Sequence, residues 1–210
     1  MGFPILSIIT WSPFVAALIV MAFARHRPLL VRYVSVIGSG ISLALSILLY
    51  VKYDHVANAF QFHEFLPLVP SVGISYNLAV DGWGLVLTLL TAIILFAGSF
   101  ASWTVKTRGQ EFYALLLLLS TGVFGVFVSL DLFVFFLFYE IAVLPMYLLI
   151  AIWGGQQRQY AATKFILYTA GSSLFILLAG MSSVTAVTRD GVQVQVTGAT
   201  SLPLQPLGAV

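Results

Sequence analysis

The sequence predicts an all-α polytopic membrane protein with about six transmembrane helices, and three observations lead there. Hydrophobic residues make up 60% of the 210 residues and charged ones only 8%, against roughly a quarter charged in an average soluble domain. A soluble fold so poor in charge could not cover its own surface, so lipid must be its main solvent. The apolar residues also lie in continuous runs without period-2 alternation, which excludes a transmembrane barrel. Finally, these runs reach the length of about 20 residues that a helix needs to cross ~30 Å of hydrocarbon.

The expected spans are 3–24, 33–53, 82–103, 112–130, 132–153 and 160–187. The first begins "MGFPILSII", with no basic stretch before it and no cleavage site after it. It reads as a retained span, not a signal peptide, and Leu6 breaks a myristoylation pattern. The second precedes the long connection 54–81, where Pro67, Pro70, Gly73 and several aromatics predict a structured cap at one membrane face. The third follows Asp81. The stretch 112–153 is too long for one helix and breaks at "SLD", residues 129–131, predicting a tight helical hairpin. The sixth starts near "RQYAATKFILYTAGSS". Residues 1–187 are thus a transmembrane helical region. The tail 188–210, which alternates briefly at "VQVQV", is expected to lie outside the membrane, as a small hairpin or the start of an interhelical loop.

Charge sets the orientation. Loops 25–32, 104–111 and 154–159 hold Arg25, Arg27, Arg32, Lys106, Arg108 and Arg158, and all three fall on one side. The opposite loops hold Lys52 and Arg189 against Asp54, Glu64, Asp81, Asp131 and Asp190. The positive-inside rule puts the Arg-bearing loops inside and the N-terminus outside. Asp81 and Asp131 start the third and fifth spans, where acids complement the helix dipole. Trp11, Trp83, Trp103 and Trp153 fall near span ends, as an interfacial belt would. Gly171, Ser172 and Ser173 are small enough to admit close helix packing.

Several chemistries are excluded. With no cysteine there are no disulfides, iron–sulfur ligation or thiolate zinc sites. His26, His55 and His63 lie outside the spans without metal-ligand spacing. No phosphate loop, nucleophile–base pair or dinucleotide fingerprint occurs, and no basic block points to nucleic acid. Neither a catalytic nor a cofactor-binding residue emerges.

What remains is Glu140, about 13 Å deep in the fifth span at ~1.5 Å per residue. Intramembrane acids are expensive and face a protein interior or a water-filled cavity. One reading is a protonated carboxyl group that glues helices together; the other is a carboxylate that carries protons or ions. Pro145 has no N–H for the carbonyl of Ile141, so a kink and an unserved polar group are expected one turn beyond the acid. Lys164 is the second candidate, roughly 9 Å from the inner end of its span. Side chains lean toward the N-terminus of their own helix, so Glu140 leans outward and Lys164 inward, and they should not pair. Lys164 either snorkels to the interface or serves as a relay lysine. A cation balancing an ionised Glu140 must then come from other polypeptide.

The stretches "YNLAVDGWGLVLTLLTAIILF", "GVFVSLDLFVFFLFYEIAVLPMYLLIAIWGG" and "RQYAATKFILYTAGSSLFILLAG" resemble the antiporter-like subunit M (chain 4) of NADH-quinone oxidoreductase, complex I. The photosynthetic NAD(P)H-quinone oxidoreductase chain 4 is similar, especially at "YAATKFILYTAGSS". The resemblance implies the N-terminal part of a larger antiporter-like bundle, in a subunit that moves protons while quinone is reduced elsewhere. It implies that Glu140 is a proton-channel residue paired with a lysine on a later, broken helix, and that Lys164 matches a lysine of bacterial members. It implies no cofactor in this chain, NADH and quinone being used by the complex. The implied partners are other membrane-arm subunits and the lipid bilayer, in a bacterial plasma membrane with a periplasmic N-terminus. The alternatives are a subunit of a multi-subunit Na⁺/H⁺ antiporter and a truncated membrane fragment that translocates nothing.

Overall fold

The computed structural model describes residues 4–23, 28–54, 60–69, 74–105 and 108–187. Its elements are α1 (Ile5–Phe23), α2 (Pro28–Lys52), β1 (Gln61–Val69), β2 (Ile74–Val80), α3 (Gly82–Ala101), α4 (Gly109–Val128), α5 (Leu132–Trp153) and α6 (Arg158–Val187), with a 3₁₀ turn at Ser102–Thr104. Among the described residues, six helices are long and apolar enough to cross a membrane. The tail 188–210, with its "VQVQV" alternation, lies outside the described residues, as do Arg25, His26, Arg27, His55 and Lys106.

Helix starts differ most from expectation. α2 begins at Pro28 and not at 33, because proline at a first helical position loses no hydrogen bond and brings a preset φ. Arg32 therefore belongs to a helix and not a loop, and its guanidinium lies 5.7 Å from the Trp103 ring centroid. α4 begins at Gly109, after Arg108 takes a left-handed turn (φ 50°). α1 carries Pro13 within it. That proline cannot serve the carbonyl of Ile9, and the Ser12 hydroxyl donates to it instead at 3.3 Å.

The departure from an all-helical chain is β1–β2, an antiparallel hairpin where a structured cap was expected. Irregular register between Gln61 and Glu64 coincides with a positive φ of 57° at Phe62. The hairpin lies across the helix ends. Leu130 N–H donates to the Asn77 carbonyl at 2.9 Å, and Leu78 bridges Ser129 between α4 and α5.

The core sits among α1–α4, around Leu6, Ile9, Val20, Leu49, Leu117 and Phe124. Two glycine approaches set its tightness. A Cβ on Gly38 of α2 would stand 2.5 Å from the Ala16 Cβ of α1, and one on Gly125 of α4 would fall inside the Phe138 ring of α5. Of Gly171, Ser172 and Ser173, where close packing was expected, Ser173 is buried, Ser172 is exposed, and no described neighbour lies within 4 Å of a Cβ on Gly171. α6 packs on α5 and exposes Leu167, Tyr168, Leu174 and Phe175.

Candidate functional site: a membrane-embedded acid on α5

α5 forms because it is apolar from end to end and well capped. Asp131 accepts from Phe133 N–H and Val134 N–H at its start. One face of α5 then presses on α4. Gly122 admits Ala142 and the Phe138 carbonyl, Gly125 admits the Phe138 ring, and Pro145 is buried one turn further on.

That packing decides where Glu140 points. It is two residues from both Phe138 and Ala142, hence about 200° round the helix from the α4 contact. It shares a stripe with Phe133, Leu137 and Leu144, which lie at helical spacing from it and are 47%, 43% and 59% exposed. Glu140 itself is half-buried. It makes no hydrogen bond or ion pair among the described residues, and lines none of the larger described cavities.

Pro145 lies inside an α-helix that continues on both sides of it. Unlike Pro13, it has no helper: no side chain among the described residues donates to the Ile141 carbonyl. Lys164 is exposed on α6, its ammonium 4.6 Å from the Tyr160 ring centroid. Tyr160 is one turn nearer the N-terminus of α6, so the lysine leans away from the midplane. Glu140 and Lys164 form no ion pair; the structure does not bring them together.

At the hairpin end, acids meet helix N-termini. Asp81 accepts from Gly84 N–H at 2.7 Å. Glu64 of β1 accepts from Leu6 N–H at 2.8 Å and Ser7 N–H at 3.0 Å, and also from the Ser7 hydroxyl. Tyr76 stands beside them, its hydroxyl 3.2 Å from the Ser7 Oγ and accepting from the Trp11 indole N–H at 3.1 Å. Burial pushes the Tyr76 phenol above its ordinary 10.0; the Ser7 and Trp11 hydrogen bonds pull it down and the Glu64 charge raises it. In the sequence Glu64 is only one more acid of the outer loops. Its contacts are 57 and 58 residues away, and no local pattern announces them. His63 bonds the Phe60 carbonyl, and no group of three metal-ligating side chains occurs among the described residues.

Fold and site together define a polytopic helical membrane protein with a midspan acid and a hairpin bracing one end. The family described as NADH:quinone oxidoreductase/Mrp antiporter, TM matches residues 129–197. The protein named NAD(P)H-quinone oxidoreductase chain 4 2 from Thermosynechococcus vestitus is 43% identical over 180 residues, 85% of this chain and 34% of that one. Respiratory complex I from Thermus thermophilus contains a chain that superposes with a TM-score of 0.75 at 25% identity, over 86% of this chain and 36% of that one. An archaeal membrane-bound sulfane sulfur reductase shares the fold, with a TM-score of 0.74 at 21% identity over 89% of this chain and 38% of that one. Residues 129–197 thus match that family, and the chain resembles the curated relatives while spanning about a third of their length.

Proposed function

We propose that this chain acts in a proton-translocating membrane-arm subunit of a respiratory NADH:quinone oxidoreductase, with Glu140 as a proton-carrying group. The observation that carries the proposal is Glu140 itself: an ionisable group in a 22-residue apolar helix, turned away from the α4 interface and unpartnered among the described residues. A carboxyl group at that depth needs a protein interior or a water-filled cavity beside it, so its neighbourhood must hydrate it or supply a cation. The nearby Ile141 carbonyl, which Pro145 cannot serve, asks for the same water.

The chain itself carries no redox centre in this reading. NADH and quinone react elsewhere in the complex, and other membrane-arm subunits are its partners. Lys164 serves as an interfacial cation, with a relay role subordinate to Glu140. The membrane is the bacterial plasma membrane, with the hairpin and N-terminus on the periplasmic side, a reading the positive-inside bias of the Arg-bearing loops supports.

Glu140→Gln in the full-length chain, assembled in its complex and reconstituted into vesicles, should lose most of the protons moved per quinone reduced. Wild-type stoichiometry in that variant would remove Glu140 from the pathway. The matching family also covers Mrp antiporters. Sodium-dependent proton flux without NADH, abolished by the same substitution, would assign the chain to that branch.

A further inference from the structure

A cleft of about 460 Å³ opens between α1, α4 and α5 at the end of the bundle away from the hairpin. Leu18, Leu115, Leu118 and Leu148 wall it, and Arg108 with Glu111 stands at its mouth. From Glu111 to Leu118 the cleft reaches about 10 Å along α4, within the ~15 Å depth of one leaflet. Its rim is tied in place. Gln110 donates to the Val20 and Met21 carbonyls at the end of α1, and Arg158 donates to the Ile152 carbonyl of α5 at 2.8 Å.

We propose that this cleft binds a zwitterionic glycerophospholipid of that leaflet, one acyl chain between the helices and the phosphate against Arg108. The lining argues for the tail: Leu18 and Leu148 on its walls are 51% and 38% exposed, so the apolar cleft opens toward the bilayer. Charge argues for the headgroup. Arg108 engages Glu111 through Nε at 3.1 Å and Nη2 at 2.5 Å, and both side chains stay substantially exposed at 59% and 47%. The pair is neutral overall, and with Nε and Nη2 engaged by the two carboxylate oxygens, Nη1 of Arg108 is left for a phosphate. An apolar shaft closed by such a pair complements an apolar tail with a phosphate and an ammonium at its head.

The full-length chain in its complex, held in nanodiscs, tests this with phosphatidylethanolamine carrying a photoreactive acyl chain. Adducts should map to the α1 and α4 peptides holding Leu18 and Leu115. Leu18→Trp, which fills the cleft, and Arg108→Gln, at its exposed mouth, should each lower that yield about five-fold or more. Adducts on the exposed α3 face at Ile93 and Ile94 should not change. Equal yield in both variants, or cross-links from the cleft to polypeptide, would overturn the site. Equal labelling by phosphatidylglycerol would overturn the zwitterionic headgroup. Should Leu18→Trp fail to assemble, Arg108→Gln decides alone.

Discussion

The carboxylate of Asp131 accepts from Phe133 N–H, Val134 N–H, Ser75 N–H and the Ser75 hydroxyl. The first two belong to the start of α5 and the others to the hairpin, so one buried acid fastens two elements. Helix capping alone is worth about 0.5–2 kcal/mol, and the Ser75 groups would be left without an acceptor as well. Asp131→Ala should therefore cost about 2–3 kcal/mol, read as a fall in thermal midpoint of the purified protein in nanodiscs. Asp131→Asn should recover much of it, since asparagine caps nearly as well. An unchanged midpoint in the alanine variant would show that α5 needs no anchor. Half of this site was legible in the sequence. The break at "SLD" before an apolar run marks a helix N-terminus from adjacent residues alone. Ser75 is 56 residues away, and only the folded topology brings it there.

Helices in this chain were legible because apolar length is a local property, whereas the contacts between them are not. α5 runs over Leu132–Trp153, a stretch bounded in the sequence by Asp131 and Gly154. Which small residues let helices touch depends on rotation about each axis: Ser173 of α6 is buried as expected while Gly171 is open, and the tightest helix approaches fall at Gly38, Gly122 and Gly125. Gly125→Ala drives a methyl group into Phe138, and overpacking of that kind costs about 1–3 kcal/mol. It should lower the yield of folded protein, and Phe138→Leu in the same chain should restore part of it; additive losses would separate the two positions. The hairpin offers a pH test. A Tyr76 phenol raised above 10.0 by burial favours its neutral form in the folded state. That stabilisation is complete below pH 10 and is lost as the pH climbs through the folded-state value. Unfolding should grow easier above about pH 10, and less steeply in Tyr76→Phe, whose own loss of two hydrogen bonds is pH-independent. Parallel curves for the two proteins would remove Tyr76 as the cause.

Across the whole molecule, the two ends of the bundle differ for a structural reason. α1, α3 and α5 begin at the hairpin end, and their N–H groups receive Glu64, Asp81 and Asp131. At the other end, carbonyls of α1 and α5 receive Gln110 and Arg158. Acids at helix starts and donors at helix ends are what the macrodipole favours, so the outer acids would sit where they do in either orientation. Only the lysines and arginines carry topological information, because the bias acts through them while Asp and Glu contribute little. This makes the orientation separable from the fold, and the chain is suited to measuring it, since it contains no cysteine. Leu66→Cys puts a thiol on an exposed hairpin residue, and Gln157→Cys puts one in the exposed turn between α5 and α6. In intact cells whose outer membrane is permeabilised, a membrane-impermeant maleimide should label Leu66→Cys within minutes and Gln157→Cys only after lysis. The reverse pattern would invert the protein in the membrane. It would leave every helix and cap as described while reversing the side of the membrane that the hairpin faces.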